Sequence, residues 1–143
     1  MRYVAPQPYE EMSHTADIGV RVEGSSAAEA LARLVLALGA TLAGGGRVTL
    51  QHKDRLEAKG ESLSEIALAV LRELLYRFAT ERLIPGACEV VCFGEGGGEL
   101  IVESGPYDPE RHGEGADIKA ITYHAAQFEL EGGIWRAQVL FDV

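Results

Sequence analysis

Residues 17–46, DIGVRVEGSSAAEALARLVLALGATLAGGG, contain the clearest structural pattern in the chain. Polar and apolar side chains alternate from Asp17 to Glu23, which predicts a half-buried strand. Ser26 is followed three residues later by Glu29, a capping-box pattern that opens a helix. Residues 44–46, all glycine, are predicted to end this helix. Its apolar stripe has helical spacing and consists of Leu31, Leu34, Val35, Leu38 and Leu42.

A second helix is predicted to begin after Ser62, which forms the same capping pattern with Glu65. Its apolar face is broad, so we expect this helix to lie at the centre of the core. Pro85 and Gly86 are predicted to end it. The apolar face contains Leu63, Ile66, Ala67, Val70, Leu71, Leu74, Leu75 and Phe78.

The remaining segments favour strands. Val48, Leu50 and Leu56 mark a strand or hairpin, and later strands are predicted at about residues 87–93, 99–104, 117–130 and 134–142. The fold class is therefore α+β, with a two-layer architecture in which two main helices pack on one face of a largely antiparallel sheet. The other face of the sheet is expected to meet water. A chain of 143 residues suits a single domain spanning residues 1–143.

The composition is that of an acidic globular protein. The net charge is −9, from 22 Asp and Glu against 13 Lys and Arg, and there is no basic run. Strong direct binding to nucleic acid is therefore disfavoured, although a local basic patch is compatible with this charge. An acidic chain suits a cation or a partner with a positive surface. The N-terminal segment lacks a signal core and no long apolar span is present, so we expect a cytoplasmic protein without membrane contact.

The two cysteines, Cys88 and Cys92, lie four residues apart in a predicted strand. That spacing separates them by about 13 Å, too far for a disulfide without distortion. Even spacing also places them on one face of the strand beside Val90, so we interpret both as small buried apolar residues. A zinc site would need more ligands at closer spacing.

The last predicted strand carries an aspartate on the face that points away from the core. Its core side holds Trp135, Ala137, Val139, Phe141 and Val143. Asp142 lies on the opposite side, and its apolar neighbours lead us to expect that this segment is held in the sheet. Asp17 has the matching position at the start of its own strand. If the two strands run side by side, as the two ends of a domain often do, the two carboxylates converge.

Two interpretations of this pair are open from spacing alone. Two solvated surface aspartates need no ligand. Alternatively, neighbouring carboxylates repel each other unless a cation compensates, and hard cations such as calcium prefer about six to eight oxygen ligands. His14 and Thr15 precede Asp17 and are candidates for hydrogen bonding to such ligands. Polar residues at a strand entrance also commonly satisfy the backbone of a turn.

Catalytic patterns are missing from the sequence, which favours a protein that is not an enzyme. It contains no nucleophile with a base partner, no nucleophile elbow, no His-x-x-x-His pair and no phosphate-binding loop. Lys119 is the unusual charged residue, because it lies in an apolar segment. It can pair with a carboxylate, contact a phosphate or an acidic partner, or extend its ammonium group into solvent along an apolar surface.

Four segments resemble signatures of the archease family, in order and over essentially the whole chain. The segment MSHTADIGVRVEG, residues 12–24, is similar to the N-terminal signature, and DIKAITYHAAQFELEGGIWRAQVLFDV, residues 117–143, to the C-terminal one. ESLSEIALAVLRELLYRFATERLIP, residues 61–85, resembles the middle helix, and GPYDPERH, residues 105–112, the loop before the last strands. The Ala- and Gly-rich run at residues 36–46 departs from the family pattern, in which polar or acidic residues are more usual.

The resemblance implies an accessory protein that activates the GTP-dependent RtcB-type RNA ligase of tRNA splicing. Such a protein promotes guanylylation of the ligase and its multiple turnover. The family pattern assigns Asp17 and Asp142 as metal ligands, together with main-chain oxygens of Val143. The metal ion is calcium or another divalent cation. It assigns Lys119 to ligase activation. Alternative functions are modulation of a tRNA methyltransferase, chaperone-like activity and, further away, metal-dependent hydrolysis.

Overall fold

The computed structural model describes residues 1–13, 17–113 and 115–143, and only the backbone of Ser13. This part of the chain forms eight strands and two helices. In chain order they are β1 (Arg2–Val4), β2 (Glu10–Ser13), β3 (Asp17–Gly24), α1 (Ala27–Ala43), β4 (His52–Lys59), α2 (Leu63–Glu81), β5 (Leu83–Gly94), β6 (Gly97–Pro106), β7 (Ala120–Glu131) and β8 (Ile134–Asp142). Within the described residues, neither helix combines the length and apolar composition that a membrane crossing requires.

The strands form two four-stranded sheets. The first has the order β1-β5-β6-β4 and the second the order β2-β3-β8-β7. Every neighbouring pair in both sheets is antiparallel. The α+β class and the antiparallel pairing are thus confirmed, and the strands are divided between two sheets that the helices pack against. The second sheet contains β3 and β8, the strands that carry Asp17 and Asp142.

The N-terminus of α1 is fixed by the predicted capping box. The Glu29 amide donates to Ser26 Oγ at 3.1 Å, and the Ser25 amide donates to Glu29 Oε1 at 2.9 Å. The Ser25 amide, followed by the charge of Arg33, holds the pKa of Glu29 below its usual value despite partial burial. Gly44 ends the helix in the left-handed conformation, with φ of 63°. Both predicted limits of α1 are confirmed.

The helix at the centre of the core is α1, and the expectation that α2 occupies this position is wrong. Both helices contact both sheets, but 11 of the 17 residues of α1 are buried, against six of the 19 residues of α2. The physical reason is that small residues on several sides of α1 let both sheets approach its backbone closely. The small buried residues of α1 are Ala30, Ala32, Ala37, Gly39 and Ala43.

The predicted start of α2 is confirmed, but its predicted end is wrong. The Glu65 amide donates to Ser62 Oγ at 3.1 Å. The helix stops at Glu81, because Arg82 adopts the left-handed conformation with φ of 56° and donates its amide to the Phe78 carbonyl. The Arg82 guanidinium lies 5.0 Å from the centre of the Phe78 ring. Pro85 and the glycine after it lie inside β5, where the pairing with β6 is shifted and tolerates proline.

Cys88 and Cys92 are both free thiols, as predicted, but they do not share an environment. Cys88 is buried, and burial raises the pKa of its thiol to about 12. Cys92 is exposed, so the expectation that both are buried is wrong for this residue. The register of β5 against β6 shifts between Val90 and Cys92, and this irregularity ends the strict alternation of faces that the spacing argument assumed.

Candidate metal centre

The two predicted aspartates lie directly opposite each other on neighbouring strands. β3 is paired with β8 over its whole length, from Gly24 opposite Trp135 to Asp17 opposite Asp142. Residues that face each other in this way share one side of the sheet, with Cβ atoms about 4.5–5.5 Å apart. The expected convergence of Asp17 and Asp142 is therefore confirmed. It follows from the strand register, which also points the intervening Val20 and Val139 into the core.

Asp142 is held by the strand on its other side as well. Its position in β8 pairs with Ala120 of β7, and the Lys119 amide donates to the Asp142 carbonyl at 2.7 Å. Val143 is half-buried and packs against the hydrophobic core. The segment is thus anchored in the sheet, as its apolar neighbours led us to expect. The same hydrogen bond brings the backbone of Lys119, which lies one residue before β7, next to the aspartate pair.

The aspartate pair carries uncompensated negative charge in the described part of the chain. Asp17 is partly buried and Asp142 is exposed. None of the salt bridges among residues 1–13, 17–113 and 115–143 includes either carboxylate, and none includes Lys119. Two adjacent carboxylates without a partner favour an added cation. Their donor atoms are all oxygen, the type that calcium and magnesium prefer.

The ligand set available from described side chains is small. No group of three or more His, Cys, Asp or Glu side chains that could hold a metal ion occurs among the described residues. Two carboxylates provide at most four oxygens, so a calcium ion would need further main-chain oxygens and water to reach its usual coordination. Val143 follows Asp142 directly and is the nearest source of main-chain oxygen in sequence. His14 and Thr15 lie outside the described residues.

The same side of the second sheet continues into an acidic trough, which we call the open face. The trough has a volume of about 410 Å³. Its charged and amide side chains are Glu10, Arg21, Glu23, Gln127, Glu129, Glu131, Arg136 and Gln138. Arg21 donates to Gln138 Oε1 at 2.8 Å, and Arg136 pairs with Glu131 at 2.8 Å and with Glu23 at 3.5 Å. Four glutamates against two arginines leave the trough negative.

The alternation of the two strands predicted the aspartate pair but not the acidic trough on the same side of the sheet. Alternation along β3 and β8 assigns Arg21 and Arg136 to the outer side. β2 and β7 also contribute side chains to the trough, and they do so through strand pairing that no local sequence pattern predicts. β7 is also irregular, because its register against β8 shifts between Thr122 and Gln127, and Ala125 within this bulge has a φ of 58°.

Known proteins with similar sequences belong to the family that the sequence motifs resemble. Residues 9–143 match the model of a family described as the Archease protein family (MTH1598/TM1083). Protein archease of Pyrococcus furiosus is 34% identical over 140 residues, an alignment that covers 94% of this chain and 98% of that protein. This level of identity over almost the full length of both chains indicates common descent.

Two solved structures have the same fold. The solution structure of protein 1598 from Methanobacterium thermoautotrophicum has a TM-score of 0.76 at 24% identity, covering 94% of this chain and 98% of that one. A crystal structure from Thermotoga maritima, described as that of an archease and possible chaperone, has a TM-score of 0.58 at 20% identity, covering 96% and 98%. At these identities the two likenesses concern the fold alone.

Proposed function

Because this chain belongs to the archease family, we propose that it is an accessory protein that activates an RtcB-type tRNA-splicing ligase and needs a divalent cation to do so. The observation that carries the proposal is the direct pairing of Asp17 with Asp142 across β3 and β8. Both residues occupy the positions that the family pattern assigns to metal ligands. The adjacent Lys119, held by its amide to Asp142, occupies the position assigned to activation.

The cation would be held by the carboxylates of Asp17 and Asp142 together with main-chain oxygens of Val143. The family resemblance implies calcium or another divalent cation, and water would complete the coordination by these hard oxygen donors. When bound, the cation supplies positive charge to a surface that otherwise carries two adjacent carboxylates. The strands supply the geometry, since the register fixes the spacing of both aspartates before any ion arrives.

The negative charge of the open face supports a partner with a basic surface. A negative face steers a positively charged partner and favours one orientation over others. An activator must also bind the active conformation of its partner more tightly than the inactive one. We propose that the open face provides the attraction, and that the metal centre with Lys119 provides the difference in affinity at the ligase active site.

The test is a ligase assay that measures guanylylation and multiple turnover with and without this protein. Asp17→Asn and Asp142→Asn are expected to reduce stimulation to the basal level, because each removes a charged ligand and keeps the side-chain volume. The matched control is Glu57→Gln, which removes an exposed carboxylate from β4 of the first sheet, outside both the aspartate pair and the open face. It should keep stimulation within about twofold, because an isolated surface charge contributes little to binding. Full stimulation by both aspartate variants would contradict the proposal.

Lys119→Ala separates the two parts of the site. Its amide donates to Asp142 irrespective of side chain, so calcium binding should persist in this variant. Stimulation of the ligase should fall while calcium affinity stays within about twofold of wild type, because the ammonium is not a metal ligand. Loss of calcium binding in Lys119→Ala would show that the lysine acts by shaping the site.

Chaperone-like activity is the second candidate, and a specific feature would carry it. The hairpin between β7 and β8 exposes Leu130 and Ile134, at 55% and 39% of their maximal accessible surface. Contiguous apolar surface can hold unfolded clients. Leu130 pairs with Trp135 and Ile134 with Glu131, so the two side chains point to opposite sides of the hairpin. Suppression of aggregation that disappears in a Leu130→Ser, Ile134→Ser double variant and persists in Asp142→Asn would favour this candidate over ligase activation. The third candidate function is modulation of a tRNA methyltransferase. Capture of such an enzyme from native lysate, in place of a ligase, would favour it.

A further inference from the structure

A second depression has a different lining from the open face and the opposite charge. It has a volume of about 190 Å³ and is lined by Arg47, Thr49, Gln51, Pro106, Asp108, Arg111 and His112. One water takes about 30 Å³ of liquid volume, so the space holds a phosphate-sized anion with several waters. We call this depression the arginine pocket. None of its residues belongs to the aspartate pair or to the open face.

The loop that forms one wall of the arginine pocket is held in place by its own hydrogen bonds. The Asp108 amide donates to Nδ1 of His112 at 2.8 Å, and Nε2 of His112 donates to the Arg47 carbonyl at 2.8 Å. His112 is therefore a neutral tautomer with both nitrogens in use, and it is only 4% exposed. The Asp108 carbonyl also accepts from the amides of Arg111 and His112. The loop thus presents Arg111 from a fixed backbone.

The close fit of this loop depends on glycine. A Cβ at Gly105 would lie 2.0 Å from the Thr49 carbonyl oxygen, and one at Gly46 would lie 2.4 Å from the Arg111 carbonyl oxygen. Both contacts are shorter than any side chain allows. The two walls of the arginine pocket, residues 46–51 and residues 105–112, are therefore packed backbone against backbone.

The two arginines of the pocket have spare donors on a chain dominated by acids. Among the described residues, neither Arg47 nor Arg111 forms a salt bridge, although the chain has 22 Asp and Glu. Arg111 uses one N–H to donate to Thr49 Oγ1 at 2.6 Å, and an arginine has five. Asp108 is the one carboxylate in the lining, and its Oδ1 accepts the Glu110 amide. The balance in the pocket is positive.

From these observations we propose that the arginine pocket binds a phosphate group. The two guanidinium groups outweigh the one carboxylate of Asp108 in the lining, and each offers the planar pair of donors that phosphate oxygens accept. The Thr49 hydroxyl and the Gln51 amide add neutral polar groups. The phosphate can come from a free anion or from RNA. Such a site gives an acidic chain a local contact to a phosphate without a basic surface.

The experiment is an NMR titration of the full chain that follows the backbone amides of Arg111 and His112. Inorganic phosphate should shift both signals along a saturable curve, whereas acetate should not. Two short RNAs of one sequence, with and without a terminal phosphate, identify the source. Tighter binding of the phosphorylated RNA would identify a terminal phosphate as the bound group. Equal binding of the two RNAs would identify the backbone phosphodiesters instead.

Arg47→Gln is the decisive variant, because the Arg47 side chain makes no hydrogen bond to a described residue and the loop uses only its carbonyl. It should weaken phosphate binding about tenfold, the loss of one charge-assisted contact. The matched control is Arg2→Gln, an exposed arginine paired with Glu103, which should leave affinity unchanged. Linear shifts without saturation, equal shifts with acetate, or an unaltered curve in Arg47→Gln would overturn the proposal. All of these outcomes are independent of calcium and of the ligase.

Discussion

The aspartate pair, which is the candidate metal centre, and the arginine pocket are opposite in charge and are also built in opposite ways. Asp17 and Asp142 are brought together by strand register alone, and their side chains form no salt bridge among the described residues. Arg111 is placed by a loop whose backbone is fixed by His112 and by close glycine contacts. A site built on register can lose its side chains at little cost to the fold. A site built on a packed loop cannot lose the groups that hold the loop.

The largest effect is expected from Gly105→Ala, which breaks the packing behind the arginine pocket. The added Cβ would meet the Thr49 carbonyl oxygen at 2.0 Å, so the loop or residues 46–51 must move. We expect a loss of roughly 3 kcal/mol in the free energy of unfolding, measured by urea denaturation. Gly94→Ala is the matched control, because a Cβ there meets nothing within 4 Å. Equal stability of the two variants would mean that the loop is not closely packed.

His112→Ala tests the hydrogen bonds of the same loop without adding volume. It removes the acceptor for the Asp108 amide and the donor to the Arg47 carbonyl, and leaves both groups unpaired in a partly buried region. The expected loss is about 2 kcal/mol in unfolding free energy. His124→Ala, at an exposed position in β7, should stay within about 0.5 kcal/mol of wild type. A small effect of His112→Ala would show that water replaces both bonds.

The stability of the fold at low pH depends on Glu29 in the capping box of α1, which belongs to neither site. The pKa of Glu29 is lowered in the folded state, chiefly by the Ser25 amide, so the stability that its charge contributes is present above its unfolded pKa of about 4.3. That contribution is lost as the pH falls through the lower folded value. Glu29→Gln should therefore flatten the decline of unfolding free energy below about pH 4.5, by at most about 1 kcal/mol. An equally steep decline in Glu29→Gln and in wild type would show that the charge of Glu29 does not stabilise the fold.

The smallest effect is expected at the metal centre in calcium-free solution. Asp142→Asn keeps the shape of the side chain and the backbone bond from Lys119, and it removes one of two adjacent charges. Its melting temperature with chelator present should equal or slightly exceed that of wild type. A fall of several degrees would show that Asp142 supports the fold, and would remove the contrast between the two sites.

The sequence predicted what depends on local periodicity and capping. The alternation around Asp17 and in the last strand correctly placed two carboxylates on one side of a sheet, and Ser26 and Ser62 correctly marked both helix starts. These features follow from side-chain geometry within a few residues.

The errors and omissions depend on contacts between distant segments. The shift between Val90 and Cys92 exposes the second cysteine, and the αL conformation of Arg82 ends α2 before Pro85. β1 and β2 are short edge strands without a repeating pattern of their own. The loop at residues 105–112 carries several turn-forming residues, but only its contact with residues 46–49 reveals a pocket.

The most direct test of the metal centre is calorimetric titration of calcium into the wild type, Asp17→Asn, Asp142→Asn and Glu23→Gln. The first and last proteins should bind one calcium ion with the same affinity. The two aspartate variants should each lose about a hundredfold or more in affinity, because each removes a charged oxygen ligand. Unchanged calcium binding in Asp17→Asn and Asp142→Asn, or no binding by the wild type, would contradict the proposal that β3 and β8 together hold a cation.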